Sequence, residues 1–392
     1  MRLLLIGGAQ SATGYGRVLR QIGHALAPLG PVDRIQVGPD EGLPAPGATL
    51  QNPNRFDFGA RRFVAQAVVD RDPDLALVLH DLDYCAEIAQ LIARVGARCA
   101  VVTYCPLEGA LAAAAPVTSL GAADAVVLYT PGDAAAVAQR FERCGARSPL
   151  ITSIPHGVER ASFVPLDDPG GVRRRLFGQA FADKTSFVVL NANRPVPRKR
   201  LDTTLHLFAR FASGKPASVK LLLKAAGPNC RPSDIGESIQ ALGLAERVHW
   251  VDTLGLQHPL SDQTLNLLYN ACDVGLNTSQ GEGWGLIAYE HAATGAPQIV
   301  PQHPSSEPWR GYPGLIPTVE HEAAHGELFG RAEIDEAAAL QMLERLYAHA
   351  VFRAEAARHA RRIALQPELD WAVIAAAWRR LVCQVVPASR RG

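Results

Sequence analysis

Two glutamates flank a glycine-rich step in the segment SQGEGWGLIAYEHAATGAP, residues 279–297. The preceding run ACDVGLNT predicts a strand; Glu282 then stands at the start of a predicted helix, and Glu290 follows eight residues later. The first backbone N–H groups of a helix have no partner within it and carry partial positive charge, so they could bind a phosphate. The candidate donors are those of Gly283, Trp284, Gly285 and Leu286, where glycine allows a ligand to approach the main chain closely.

Glu290 would lie about one and a half turns along this helix. Its carboxylate could accept hydrogen bonds from two neighbouring hydroxyl groups, as a ribose presents them. The alternative is a helix-start acid at Glu282, favoured by the helix dipole, and a solvated helix residue at Glu290. The apolar neighbours of Glu290 argue against this alternative, because an unpaired acid is costly to bury.

Basic residues follow a second predicted strand, SFVVLNAN, in the segment RPVPRKRLDTTLHLF. Arg194 and Lys199 stand five residues apart at this strand-to-helix turn. They place positive charge where a diphosphate would need it. For Arg198 and Arg200, in the same cluster, we predict a solvated face.

The N-terminal segment LLLIGGAQSATGYGRVLRQIGHAL predicts a strand, a glycine-rich turn and a helix that begins near Tyr15. Its glycines do not fit G-x-G-x-x-G, so we predict a loop that faces an interdomain cleft rather than a dinucleotide site. Asp81 and Asp83 lack a third ligand, and we predict no metal site there. For His156, in IPHGVE, structural and functional interpretations stay open.

Short apolar runs alternate with amphipathic stretches in both halves of the chain. The first half has RLLLIGG, LALVLHD, ARCAVVTY, DAVVLYT and LITSIPHG; the second has SFVVLNANR, VKLLLKAAG, RVHWVD, DVGLNTS and APQIVP. This alternation predicts two doubly wound α/β halves, whose ligands bind at the carboxyl ends of the strands. The polar segment VPLDDPGGVRRRLFG predicts a linker. From Glu333 to Val386 the sequence predicts helix, with Trp371 and Trp378 on one face as core residues.

The composition is that of a globular protein: 392 residues, 48% of them hydrophobic and 20% charged, with a formal net charge of +1. This balance argues against bulk electrostatic capture of nucleic acid or an anionic membrane. The seven cysteines contain no CxxC pair, which argues against a zinc site or a disulfide framework. We find no signal-peptide core and no transmembrane run, and expect a cytoplasmic location, with peripheral attachment at the inner membrane face as the alternative.

The order of the motifs resembles that of the retaining glycosyltransferases of the GT-B fold, specifically the large fourth family, also called glycosyl transferases group 1. The matching segments are GGAQSATGYGR, YCPLEG, ADAVVLYT, IPHGVERASFVP, NRPVPRK and YNACDVGLNTSQGEGWGLIAYEHAATGAPQIV. They extend over nearly the whole chain, and the E-x7-E pair is the most specific of them. The resemblance implies two Rossmann-like parallel-sheet domains that face a central cleft, with a C-terminal helix that returns to the first domain. The implied bounds are 1–165 for the acceptor-side domain, 166–182 for the linker, 183–365 for the donor domain and 366–392 for the returning helix.

By this resemblance, Arg194 and Lys199 would bind the donor diphosphate and stabilise its developing charge, while Glu282 would address the transferred sugar. The predicted donor-binding residues are Glu290, Gly283, Trp284, Gly285, Leu286, Gly16 and His156, and those on the acceptor and sugar side are Gly14, Tyr15 and Glu108. Many family members carry a histidine after the strand that corresponds to CAVVTY. This chain has Cys105, Pro106, Leu107 and Glu108 there, so Glu108 is the candidate for that role.

The implied activity is that of a hexosyltransferase. It would transfer a sugar from a nucleoside-diphosphate sugar to an acceptor hydroxyl with retention of configuration, without a metal or a cofactor. A sugar-nucleotide epimerase or phosphorylase of the same fold, and a non-catalytic nucleotide-sugar-binding partner protein, are the alternatives. The acceptor stays open among a glycan, a lipid, a small metabolite and a protein, and we expect no nucleic-acid partner.

Overall fold

Strands and helices alternate along most of the chain in the computed structural model, which describes residues 1–8, 13–37, 50–52, 58–112, 117–178, 186–224, 232–251 and 260–387. The strands are β1 (Leu3–Gly7), β2 (Val32–Val37), β3 (Leu50–Asn52), β4 (Leu75–Leu79), β5 (Ala100–Tyr104), β6 (Ala125–Leu128), β7 (Leu150–Ser153), β8 (Phe187–Asn191), β9 (Val219–Leu223), β10 (Val248–Trp250), β11 (Val274–Leu276), β12 (Gln298–Pro301), β13 (Leu315–Ile316), β14 (Thr318–His321) and β15 (Arg331–Ile334). The helices are α1 (Gly14–Leu26), α2 (Phe58–Arg71), α3 (Leu82–Arg94), α4 (Pro131–Cys144), α5 (Pro169–Phe177), α6 (Leu201–Ala212), α7 (Pro232–Ala241), α8 (Asp262–Asn270), α9 (Leu286–Ala293), α10 (Glu336–Ala348), α11 (Ala350–Ala364) and α12 (Trp371–Val385).

The first of two compact units contains Met1–Gly157, His325–Phe329 and Pro367–Gly392. Its described strands form a parallel sheet in the order β3-β2-β1-β4-β5-β6-β7. Strands β1, β4 and β5 are buried along their whole length, as expected for a parallel sheet that is covered on both faces.

Helix α12 packs in this first unit. The ring of Trp378 is fully buried and lies 4.8 Å from that of Tyr104, centroid to centroid. A Cβ atom on Gly157 would lie 2.7 Å from the ring of Trp371, so the close approach of this indole requires a glycine. The prediction that the C-terminal helix returns to the first domain is confirmed.

The second unit contains Val158–Ala324 and Gly330–Gln366. Its described strands form a parallel sheet in the order β10-β9-β8-β11-β12-β13, and β14 pairs antiparallel with β15. The prediction of helix from Glu333 onward is wrong at its start, because Glu333 pairs with Val319 between strands β15 and β14. Helix α10 begins three residues later.

Helix α5 lies within 166–182, the segment predicted as a linker. Arg173 on this helix forms an ion pair of 2.7 Å with Asp273 and donates a hydrogen bond of 2.8 Å to the carbonyl of Ala271. Two polar anchors therefore join α5 to the segment between α8 and β11.

Each sheet has one point at which the strand order reverses. In the first unit β1 lies between β2 and β4, and in the second unit β8 lies between β9 and β11. Doubly wound sheets bind ligands outside the carboxyl ends of the strands at such a point. The loops that follow β1 and β4, and those that follow β8 and β11, are thus the candidate sites. No helix among the described residues is both long enough and apolar enough to cross a membrane.

Candidate active site

The loops that follow β8 and β11 are joined to each other by hydrogen bonds. The backbone N–H of Gln280 donates to the carbonyl of Arg198 over 2.7 Å, and the Arg198 guanidinium donates to the carbonyl of Gly281 over 2.8 Å. The side-chain NH2 group of Asn193 donates to the side-chain oxygen of Asn277 over 3.0 Å. Because β8 and β11 are neighbouring strands, their sequence-distant loops form one polar surface.

Lys199 and Glu282 form an ion pair on this surface, and their side chains are 8% and 12% exposed. The other carboxylate oxygen of Glu282 accepts hydrogen bonds from Asn277 over 2.9 Å and from Ser279 over 3.0 Å. Burial raises the pKa of Glu282, but the charges of Lys199 and Arg198 and the hydrogen bonds outweigh it and bring the pKa to about 2. Glu282 is therefore ionised at neutral pH.

His303, which follows β12, contacts the loop that carries this carboxylate. Its Nε2 is 2.8 Å from the carbonyl oxygen of Ser279. A carbonyl oxygen can only accept, so Nε2 carries the proton in this contact. Burial lowers the pKa of His303 to about 4, partly offset by the charge of Glu282. At neutral pH the ring is uncharged and supports the backbone of the loop that carries Glu282.

Glu290 is 3% exposed on α9 and accepts a hydrogen bond of 2.9 Å from the hydroxyl of Tyr269 on α8. The alternative interpretation of Glu290 as a solvated helix residue is wrong. Its ribose-binding role stays a prediction.

The glycine-rich step ends at Gly285, the N-cap of α9, which has φ +81°. An L-amino acid rarely adopts this left-handed conformation. The backbone N–H groups of Gly283 and Gly285 donate no hydrogen bond to another described residue. The Trp284 ring stacks on that of Tyr289 at 4.9 Å and is buried, and Leu286 is the first residue of α9.

The two other arginines of the basic cluster differ from Arg194. Arg194 is exposed and forms no ion pair or hydrogen bond through its side chain with another described residue. Arg200 forms ion pairs with Asp202 at 2.9 Å and Glu333 at 2.5 Å. The prediction of a solvated face is therefore wrong for Arg198 and Arg200, and Arg194 is the exposed cation of the cluster.

In the first unit, α1 begins at Gly14, one residue before the predicted start. Thr13 caps the helix by accepting a hydrogen bond of 3.0 Å from the backbone N–H of Gly16. The hydroxyl of Tyr15 donates to Asp81, the N-cap of α3. Residues 9–12 of the glycine-rich turn lie outside the described residues.

Glu108 follows β5 in the first unit and is partly exposed. His156 follows β7 and is 2% exposed, with Nδ1 2.9 Å from the hydroxyl of Tyr104. Because that hydroxyl donates to the carbonyl of Ile154, His156 carries its proton on Nδ1, and burial lowers its pKa to about 3. The roles predicted for Glu108 and His156 stay predictions.

Within the described ranges, no group of three or more His, Cys, Asp or Glu side chains is arranged to hold a metal ion. Sequence reasoning missed four polar residues of the second unit, namely Asn193, Asn277, Ser279 and His303. The only signal that could have found them is their position at or just after the carboxyl ends of predicted strands.

No protein-family model matches the chain. The D-inositol 3-phosphate glycosyltransferase of Acidothermus cellulolyticus is 32% identical over 182 residues, 46% of this chain and 38% of that protein. The protein of the same name from Geodermatophilus obscurus is 28% identical over 276 residues, 69% of this chain and 55% of that protein. Mannosylfructose-phosphate synthase of Agrobacterium fabrum is 27% identical over 169 residues, 42% of this chain and 35% of that protein. The matches thus span roughly a third to a half of these curated relatives.

Solved structures match over the whole length. Sucrose-phosphate synthase from Thermosynechococcus elongatus superposes with a TM-score of 0.74 at 18% identity, over 98% of both chains. Trehalose 6-phosphate synthase from Burkholderia multivorans gives 0.72 at 14% identity, over 99% of both chains. An Escherichia coli trehalose-6-phosphate protein bound with UDP-2-fluoro glucose gives 0.67 at 13% identity, over 99% of this chain and 100% of that chain.

The fold places this chain in the α/β class with GT-B architecture, as predicted. Within that class the sequence matches are to curated glycosyltransferases, and the predicted resemblance to the large fourth family is confirmed.

Proposed function

We propose that this chain is a retaining glycosyltransferase that transfers a sugar from a nucleoside-diphosphate sugar to an acceptor hydroxyl. The observation that carries the proposal is the Lys199–Glu282 ion pair at the point where the strand order of the second sheet reverses. The loop after β8 also carries an exposed cation, Arg194, and α9 begins four residues after Glu282. The names of the curated relatives support a glycosyl transfer, and one structural neighbour is described with a UDP sugar bound.

The chemistry requires stabilisation of a leaving diphosphate. As the bond to the sugar breaks, negative charge grows on the leaving oxygen and the sugar becomes oxocarbenium-like. Fixed cations and N–H groups that already point at that oxygen lower the barrier, because they need not reorganise. Arg194, Lys199 and the N–H groups of Gly283 and Gly285 would supply this charge, and we propose that no metal ion is needed.

Retention would proceed without a covalent intermediate on Glu282. A double displacement needs a free carboxylate nucleophile close to the anomeric carbon. Both oxygens of Glu282 already accept hydrogen bonds, and its pKa of about 2 marks a weak base. In this proposal Glu282 contacts sugar hydroxyls, and the leaving phosphate takes the acceptor's proton on the same face.

The names of the relatives favour a small phosphorylated polyol or sugar as acceptor. They include D-inositol 3-phosphate glycosyltransferase and mannosylfructose-phosphate synthase. A panel of inositol phosphates, hexose phosphates and their unphosphorylated forms, offered with UDP-glucose and GDP-mannose, would separate this class from lipid or protein acceptors by mass analysis of the products.

Titration calorimetry with UDP, GDP and ADP tests donor binding. Wild type should bind at least one of them, and Arg194→Ala and Lys199→Ala should each weaken that binding about tenfold to a hundredfold, because a charged hydrogen bond is lost. Arg210→Ala and Lys220→Ala are matched controls, since both residues have partners elsewhere on the second unit. If none of the three nucleotides binds to the wild type, or if all four variants match it, the donor site is misassigned.

Proton NMR of the product tests the stereochemistry of the transfer. Turnover in the presence of EDTA tests whether the reaction needs a metal ion. The product should keep the anomeric configuration of the donor, and turnover should survive EDTA. An inverted product, or a glycosyl adduct on Glu282, would refute the proposed mechanism although transfer itself occurs.

A further inference from the structure

Glu333 lies on strand β15, outside the residues that the proposed function uses. One of its carboxylate oxygens accepts hydrogen bonds from the guanidinium of Arg200 at 2.5 Å and from the side-chain amide of Gln280 at 2.9 Å. Arg200 directly follows Lys199, and Gln280 stands two residues before Glu282. A single carboxylate therefore bridges the two loops that carry the ion pair.

Backbone hydrogen bonds strengthen the same junction. The N–H of Ala332, the neighbour of Glu333, donates to the carbonyl of Gln280 over 2.9 Å. The N–H of Gln280 in turn donates to the carbonyl of Arg198 over 2.7 Å. Strand β15 and the two loops thus meet at Gln280.

Arg200 also has an unusual backbone, with φ +48° at a residue that is not glycine. Such a conformation persists only where the surroundings enforce it, and it is most frequent at functional sites. Here the guanidinium is held by Asp202 at 2.9 Å and by Glu333, and the hydroxyl of Thr278 donates to the Arg200 carbonyl over 2.8 Å. This enforced backbone conformation sets the direction in which the chain continues after Lys199.

From these contacts we infer that Glu333 is a positioning residue of the donor site. It holds Arg200 and Gln280 together and thereby sets the distance between Lys199 and Glu282. The inference rests on the proposed function, because only in that function does the Lys199–Glu282 pair bind a nucleoside-diphosphate sugar. Glu333 itself would touch no substrate; its second oxygen lies 3.7 Å from Nε2 of His321.

Calorimetry with UDP, together with thermal unfolding, tests this role. Glu333→Ala should weaken UDP binding roughly threefold to tenfold. The lost hydrogen bonds to Arg200 and Gln280 would act on UDP only indirectly, through the positions of Lys199 and Glu282. Glu333→Gln preserves the shape and one acceptor oxygen, so its loss should be smaller. Glu320→Ala, an exposed acid on the neighbouring strand β14, should bind UDP like wild type. If Glu333→Ala does not fold, Glu333→Gln alone carries the test.

A double variant decides whether Glu333 acts through Lys199. In a Lys199→Ala background, Glu333→Ala should cost less affinity than in wild type, because coupled residues are not additive. An equal loss in both backgrounds would overturn the inference. So would unchanged UDP affinity in both Glu333 variants with a lowered melting temperature, which would mark a structural residue only. Failure of wild type to bind UDP, GDP or ADP would instead refute the proposed function.

Discussion

At the scale of single residues, the charge on Glu282 determines how the candidate site responds to pH. In the folded chain its pKa is about 2, whereas a glutamate in an unfolded chain titrates near 4.5. The unfolded chain therefore binds a proton at a pH where the folded chain does not. The stabilising contribution of this ion pair is present above about pH 4.5 and is lost as the pH falls towards 2.

We predict that Glu282→Gln removes this contribution. At pH 6 the variant should be less stable than wild type by about 2–3 kcal/mol, because Lys199 loses its buried partner. Between pH 5 and pH 2.5 the difference should shrink, since wild type then loses the same interaction. Urea unfolding of both proteins across this range measures it, with Glu320→Gln as the exposed control. A difference that stays constant with pH would show that Glu282 is not held ionised.

Spacing predicted some residues of the site and missed others. Glu282, Glu290, Arg194 and Lys199 were predicted because paired acids and cations beside a glycine-rich turn form a pattern. The Lys199–Glu282 pairing itself was not predicted, since it depends on β8 and β11 being neighbours in the sheet. Single polar residues such as His303 have no pattern, and only their contacts show what they do.

At the scale of the secondary-structure elements, the conformation of Gly285 fixes where α9 begins. A Cβ atom there would meet nothing within 4 Å, so any cost of substitution comes from the backbone alone. Gly145 at the end of α4 is a matched case, since it is also in the left-handed region, with φ +58° and ψ +24°, and has the same open surroundings.

We predict that Gly285→Ala and Gly145→Ala each lower the free energy of unfolding by about 1–2 kcal/mol, the usual cost of a left-handed alanine. Only Gly285→Ala should also weaken UDP binding, because relaxation of the strain would turn the N–H groups at the start of α9 away from the ligand. Urea unfolding and calorimetry on both variants measure the two effects. Equal UDP affinities in the two variants would contradict a role for this helix start.

Long apolar strands were predicted better than short or mixed ones. Strands β4, β5 and β8 are continuous apolar runs that the sequence marks clearly. Strand β2, in VDRIQV, is only half buried, and β13 has two residues, so neither has a recognisable period. The hairpin of β14 and β15 was missed because its polar residues are ordered by pairing with each other, which a sequence pattern does not reveal.

At the scale of the whole molecule, the alternation of strands and helices predicted two doubly wound sheets but not the partners of the C-terminal helix. The buried face of α12, formed by Ile374, Trp378, Leu381 and Val382, has helical spacing. Such spacing indicates that a face is buried and not which surface covers it. Only the family resemblance predicted its return to the first unit.

The two units should respond differently to a nucleoside diphosphate, because the ion pair, the exposed cation and the start of α9 all belong to the second unit. At a UDP concentration about a hundred times Kd, binding should stabilise the native state by about 2.7 kcal/mol. Local opening is then suppressed most where ligand contacts are made, so hydrogen exchange should slow in residues 193–199 and 279–290.

Residues 13–17 and 154–157, which contain Gly16 and His156, report whether the first unit also contacts the nucleotide. Lys199→Ala at the same UDP concentration is the control, and its stabilisation should fall to about 0.4–1.4 kcal/mol because it binds tenfold to a hundredfold more weakly. Protection confined to the first unit would place the nucleotide elsewhere and contradict the donor site.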